Sequence, residues 1–117
     1  MVASSYVPHR GDLVWIDIDP QVGHEQAGRR PALVLSDKLY NARASLAIIV
    51  PITSRDKGYP FQVALPANAL PKPSWVIANQ VSSLDWRVRN AELIRSAPAA
   101  IVVEVCALAV GLVEGRR

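Results

Sequence analysis

A small, strongly bent antiparallel sheet or barrel, mainly β with one helix at its C-terminal end (α+β), is the fold class the sequence predicts. Short apolar runs recur from Leu13 to Ile94 with Gly, Pro, Asn and Asp signals between them, the pattern of many short strands joined by turns. The first run alternates in period two. The last segment, Ala99 to Val113, changes to a helical run.

In Leu13-Val14-Trp15-Ile16-Asp17-Ile18-Asp19, residues Val14, Ile16 and Ile18 share one face, as in a half-buried strand, and Pro20 ends it. Ala32 to Ser36 is a short apolar run that reads as a buried strand, with Pro31 at its first position, where proline is tolerated. Asp37 to Asn41 reads as one helical turn capped by Ser36 or Asp37. Leu46 to Val50 is a third strand, followed by Pro51-Ile52-Thr53-Ser54-Arg55, and Gln62 to Leu65 is a fourth. Pro66 to Ser74 holds three prolines and reads as a loop on the surface. Trp75 to Val81 and a piece around Trp86 to Ile94 supply the remaining strands. Ser96 is the expected cap of the final helix, with Pro98 near its first turn, Gly111 near its end and Gly115 after it. Glu104 is the one charge between Ala99 and Val113, so apolar residues cover nearly the whole circumference. Such a helix is expected to pack on the sheet with one side and on a second subunit with another.

At 117 residues, with 50% hydrophobic and 20% charged residues, the chain is expected to form one domain with its own core. No internal repeat or low-complexity tract is present. The single cysteine, Cys106, excludes an intramolecular disulfide and a Cys-based zinc site, and its apolar surroundings mark it as a core residue. His9 and His24 show no HxxxH or HxH spacing, so no metal or other cofactor is expected. A membrane span needs about 20 apolar residues, more than the final run supplies. The N-terminus lacks a basic start followed by an apolar stretch, which makes the cytoplasm the expected location.

The net charge of +3 and pI of about 9.4 point weakly to a polyanionic partner. Placement says more. Arg29, Arg30, Arg55, Lys57, Arg87 and Arg89 fall in expected loops or strand ends, where one concave face would gather them; the alternative is scattered solubilising charge. The densest stretch is Gly23-His24-Glu25-Gln26-Ala27-Gly28-Arg29-Arg30-Pro31. A fold needs nothing from an imidazole, a carboxylate and two guanidinium groups at a loop tip. A site handling a phosphodiester needs a proton acceptor, a proton donor and a cation close together. The alternative is a solvated turn with an incidental ion pair.

Gly11-Asp12-Leu13-Val14-Trp15, Asp19-Pro20, Gly23 to Gly28, Arg30-Pro31-Ala32-Leu33-Val34-Leu35, Val50-Pro51-Ile52-Thr53-Ser54, Lys57-Gly58-Tyr59-Pro60-Phe61 and Asn79-Gln80-Val81 follow one another in order. Together they closely resemble the MazF/PemK toxins of bacterial type II toxin–antitoxin modules, over nearly the whole chain from Tyr6 into the final helix. The resemblance implies a small SH3-like barrel with a C-terminal helix (CcdB/Kid/MazF-like) that forms a homodimer. It further implies sequence-specific, metal-independent cleavage of single-stranded RNA, an mRNA interferase, and inhibition by a cognate antitoxin. In such cleavage the ribose 2′-hydroxyl attacks the adjacent phosphorus and leaves a 2′,3′-cyclic phosphate and a 5′-hydroxyl. DNA lacks that nucleophile, and a duplex holds its ribose and phosphate out of line.

On this resemblance Arg30, the arginine before proline, contacts the phosphate; a guanidinium grips phosphate oxygens bidentately. A guanidinium holds its proton and is a poor base, so its role is charge stabilisation. Glu25 matches the loop glutamate and is either the general base or the residue that orients Arg30 by a salt bridge. Thr53 matches the threonine whose hydroxyl hydrogen-bonds a phosphate oxygen, with Ser54 assisting; elsewhere such a pair forms turns. His24 suits general acid or base work, or a base-stacking contact. Arg29 and Lys57 are expected to meet the RNA. Trp86 and Arg87 are expected to stack on or grip nucleotides, unless Trp86 is core.

One position departs from the pattern. Where some relatives carry an aspartate before Gln80, this chain has Asn79, and Ile77 stands where an arginine can precede it. A neutral amide is no base, so the base falls to Glu25 or His24, and Asn79 and Gln80 are left to read an RNA base by hydrogen bonds. The expected protein partner is an antitoxin with an acidic, flexible C-terminal segment, attracted by charge complementarity and folding as it binds. A non-catalytic toxin of the same fold that binds a protein target such as DNA gyrase is the alternative; it would not need Glu25, Arg30 and Thr53 together. A third reading is an RNA-binding module without cleavage.

Overall fold

The computed structural model describes residues 6–18 and 28–116. Strands β1 (Asp12–Asp17), β2 (Arg29–Val34), β3 (Leu46–Thr53), β4 (Gln62–Ala64), β5 (Trp75–Ile77), β6 (Ser82–Asp85) and β7 (Glu92–Ser96) join in one sheet, with α1 (Lys38–Ala44) between β2 and β3 and α2 (Ala99–Glu114) at the end. All pairings are antiparallel, in the order β4-β5-β3-β2-β1-β7. The sheet is open, with β4 and β7 as its outer strands.

Strand β3 organises this sheet. One edge pairs with β2 from Ala32↔Pro51 to Val34↔Ile49. The other edge pairs first with β6, from Leu46↔Asp85 to Ile49↔Ser82, and then with β5, through Ile52↔Val76 and Thr53↔Trp75. The strand therefore runs through Pro51 to Thr53, past the end at Val50 expected from the sequence.

Both faces of the central strands are covered. Leu13, Leu33, Val50 and Ile52 point into a core shared with Val76 and, from α2, Val105 and Ala109. The residues between them, Val14, Ile16, Ala32, Val34, Ala47 and Ile49, form a second core with Trp86 on the opposite face. Alternation thus sorts residues between two cores, which is why these strands read as nearly continuous apolar runs.

Several local expectations need correction. Strand β2 begins at Arg29, so Pro31 is its third residue; it pairs with Trp15 of β1 and precedes the first β3 pair, where its missing N–H breaks no recorded ladder. Helix α1 has Asp37 as N-cap, accepting from the Tyr40 amide at 2.9 Å, and continues to Ala44, well past one turn. The expected strands Trp75–Val81 and Trp86–Ile94 are instead β5, β6 and β7, with residues 86–90 a turn whose start is fixed by Asp85 accepting from the Arg87 and Val88 amides, each at 3.0 Å. Ser96 belongs to β7, opposite Asp12, and Pro98 is the N-cap of α2 without a side-chain hydrogen bond. Gly115 closes α2 at φ +78, a left-handed conformation that costs glycine little. The Pro66–Ser74 segment is an excursion, but Ala69, Leu70 and Ser74 within it are buried.

Asn41 ties the layers together. Fully buried, its side-chain amide donates to the carbonyl oxygens of Pro8 at 2.7 Å and Ser36 at 3.1 Å, and its backbone carbonyl accepts from the Trp86 indole at 2.9 Å. On α2, Ile101, Val102, Cys106 and Leu108 lie half-buried against the first core, while Val103, Val110 and Val113 are exposed.

Candidate active site

At one end of the central strands, the beginning of β2, the end of β3 and the excursion after β4 enclose a cleft of about 760 Å³. Arg30 lines it beside Thr53 and Ser54. The ladders explain the convergence. Arg30 pairs with Ile16 in the β1–β2 hairpin, and Thr53 is the last residue of β3, held opposite Trp75. Arg30 is exposed and makes no ion pair among the described residues, so no described carboxylate competes with an incoming anion for its guanidinium.

The Thr53 hydroxyl accepts from the Arg55 amide at 3.1 Å. That bond occupies a lone pair and leaves the hydroxyl proton available to an incoming oxygen. The loop after it is ordered by its own side chains. Asp56 accepts from the Gly58 amide at 2.9 Å, with Gly58 in a left-handed turn at φ +69. Gln62 accepts from the Lys57 amide at 2.8 Å and donates to the Arg55 carbonyl at 3.1 Å. Arg55 and Lys57 thereby reach the cleft, and Lys72 enters from the excursion. No carboxylate lines it among the described residues, so its potential is positive and suits a polyanion.

Arg29 also borders the cleft but is committed elsewhere. It donates to Asp17 at 3.1 Å and to Glu92 in a shorter contact. Burial works against its charge, yet the hydrogen bonds to Asp17 and Glu92 outweigh it and hold its pKa above the ordinary arginine value. Asp17 in turn accepts from Asn90 at 3.0 Å, and Arg89 donates to the Asp17 carbonyl at 3.0 Å and to that of Ile18. The Ile18 amide donates to the Gly28 carbonyl at 2.7 Å. Arg29, Asp17, Asn90 and Arg89 thus form a clamp at the root of the charged loop.

The remaining expected site residues separate. Glu25 and His24 lie outside the described residues. Asn79 and Gln80 are exposed in the turn after β5 and do not line the cleft. Trp86 is a core residue, 6% exposed, and so offers no open ring face in this structure; Arg87 lies over its ring at 4.7 Å, beside a second cleft on the other side of Arg29. The expected basic face therefore forms from Arg30, Arg55 and Lys57, with the ion-paired Arg29 at its border, and without Arg87 and Arg89. Sequence reading missed Lys72 and Trp15, both of which line the cleft. The signal for Trp15 was present, since it sits on the opposite side of the β1 alternation from Val14 and Ile16.

Among the described residues no group of three or more His, Cys, Asp or Glu side chains is placed to hold a metal ion, and no helix is long and apolar enough to cross a membrane.

An open sheet that brings an exposed arginine, two hydroxyls and several further cations to one end of its central strands defines a small β protein built to engage a polyanion. Residues 9–110 match the family model of the PemK-like, MazF-like toxin of type II toxin–antitoxin systems. The endoribonuclease toxin MazF of Escherichia coli is 47% identical over 90 residues, covering 77% of this chain and 79% of that protein. A crystal structure of MazF from Deinococcus radiodurans is 50% identical, with a TM-score of 0.84, and covers 94% of this chain and 99% of its own. A MazE–MazF crystal structure from the same organism is 49% identical, with a TM-score of 0.85, and covers 97% and 100%. The chain belongs to the PemK/MazF family of type II toxin–antitoxin toxins.

Proposed function

We propose that this chain is the toxin of a type II module and acts in the cytoplasm as a sequence-specific endoribonuclease on single-stranded RNA, without a metal ion. The observation that carries the reading is the exposed Arg30, without an ion pair among the described residues, sharing one cationic cleft with Thr53. The scissile phosphate sits between them. The ribose 2′-hydroxyl attacks phosphorus and gives its proton to Glu25 or His24. The bond from phosphorus to the 5′-oxygen breaks, that oxygen takes a proton from the other of the two, and a 2′,3′-cyclic phosphate remains. Arg30 offsets the charge that accumulates on the phosphorane oxygens, and the Thr53 hydroxyl donates a hydrogen bond to one of them. The family relationship and the MazF name of its relatives support this assignment.

The protein partner is an antitoxin whose acidic, flexible segment competes for the same positive cleft. The MazE–MazF structure that this chain resembles pairs such a toxin with its antitoxin. The chain acts as a homodimer, and the exposed Val103, Val110 and Val113 along α2 supply apolar surface for a second copy.

The test is cleavage of a long single-stranded RNA containing every trinucleotide, in excess EDTA, beside Arg30→Ala and Glu25→Ala. Cuts at a defined sequence with cyclic phosphate ends, lost in both variants, are expected. Intact RNA at high protein concentration would refute the assignment and turn attention to a protein target.

A further inference from the structure

Two features of the cleft have no part in the chemistry above. The first is Trp15. Its neighbours on β1, Leu13, Val14 and Ile16, are fully buried, while Trp15 is 39% exposed and faces the cleft across from Pro31. Of the other tryptophans, Trp86 is sealed in the core and Trp75 is half-buried in β5. The second is Lys72, between Pro71 and Pro73 at the tip of the excursion. Proline on both sides restricts the backbone. Buried Ala69 and Leu70 root the segment, Arg95 donates to the Asn68 carbonyl at 3.1 Å, and the Ser74 hydroxyl donates to the Lys72 carbonyl at 2.9 Å. Lys72 is therefore presented by a braced support.

We propose that Trp15 and Lys72 form a nucleotide subsite beside Arg30, in which one base of single-stranded RNA stacks on the indole and the adjoining phosphate meets the lysine ammonium. Trp15, Pro31, Leu70 and Pro71 give the cleft an apolar floor under a cationic rim. Unpaired RNA matches that combination, because it offers a planar apolar face and an anion at every nucleotide. An acidic peptide supplies the anions without a planar face at each repeat. The subsite rests on the RNA reading above and adds to it a contact outside the reacting phosphate.

The test uses a 2′-O-methyl oligoribonucleotide containing the cleavage sequence, which binds but lacks the nucleophile. Binding is followed by tryptophan fluorescence and by anisotropy of a labelled strand over a range of salt. Wild-type protein is expected to show quenching on binding. Trp15→Phe keeps an aromatic face, so it should lose the quenching and keep most of the affinity. Trp15→Leu should weaken binding by about tenfold, the scale of one lost base stack. Lys72→Ala should weaken binding to all sequences alike and reduce the salt slope by about 0.7, the value of one phosphate on a single strand. Circular dichroism and the melting temperature of each variant separate lost binding from lost folding, and Trp15→Phe carries the test if Trp15→Leu fails to fold. Wild-type affinity and salt slope in Trp15→Leu and Lys72→Ala would overturn the subsite while leaving the RNA reading intact. Failure of the wild-type protein to bind any oligoribonucleotide, with a poly-glutamate peptide quenching Trp15 instead, would overturn both.

Discussion

The carboxylate of Asp17 receives the guanidinium of Arg29 at 3.1 Å across directly paired positions of β1 and β2. This contact settles how two adjacent arginines divide their work. Arg29 is neutralised by Asp17 and Glu92 and holds the hairpin, whereas Arg30 keeps its charge for the cleft.

Asp17 gives this clamp a pH dependence. The hydrogen bond from Asn90 is the largest influence on its carboxyl; burial opposes it, and Arg29 and Arg89 add to it, so the pKa lies below the ordinary aspartate value. A depressed folded-state pKa stabilises the protein above the unfolded value of about 3.9, and that contribution is lost as pH falls through the lower folded value. Urea midpoints measured from neutral pH downward should fall more steeply below about pH 4 for wild type than for Asp17→Asn. Parallel curves would show that the contact carries no linked stability.

Arg30→Ala should reduce cleavage by roughly 10²–10³, the cost of removing one group that stabilises transition-state charge. Because Arg30 is exposed and without an ion pair among the described residues, its loss should leave stability within about 0.5 kcal/mol of wild type. Single-turnover cleavage and chemical denaturation read the two separately. A large loss of stability would mean that the residue holds the fold.

Thr53→Ser retains the hydroxyl that accepts from Arg55 and should cleave nearly as wild type. Thr53→Val keeps the shape and removes the hydroxyl, and a hydrogen bond to a charged oxygen is worth about 1.5–3 kcal/mol, or roughly ten- to 150-fold in rate. Equal rates for the two variants would remove Thr53 from the site.

Asn41→Ala should cost about 2–4 kcal/mol, because it leaves the buried Pro8 and Ser36 carbonyls without their donor. Trp86, hydrogen-bonded to the Asn41 backbone, should report the loosening as a red shift in the folded-state fluorescence. A loss below about 0.5 kcal/mol would mean that water replaces the amide.

Much of this structure was legible in the residues. The alternation in β1, the apolar core of β2 and the start of β3, the helical run of α2 and its glycine stop all follow from local pattern. The charged stretch ending at Arg30 also stood out locally, whereas Thr53 was singled out only by the family resemblance, and their meeting depends on the register of β1, β2 and β3, which no local signal records. Length failed where tertiary pairing decides: β3 continues through Pro51 because β2 and then β5 pair with it. Trp86 looked like strand and substrate surface because an aromatic residue near charges has the same composition in both settings. Burial against Asn41 separates them, and only the folded chain shows that. For the same reason Ser96, well suited to capping, is used by β7 instead.

Strand β3 belongs to three ladders at once and ends at Thr53. Inserting or deleting one residue within it would turn the side chains beyond that point to the wrong face, so that stretch is closed to change in length. The segments on either side of the cleft, 54–61 and 66–74, are outside the ladders; Gln62 braces the first, and buried Ala69 and Leu70 root the second. Exposed positions in these two borders can be exchanged in descendants of this sequence while the threonine hydroxyl stays where the ladder put it. On the proposed reading, the protein can in this way change which RNA it holds without moving the residues assigned to the cut.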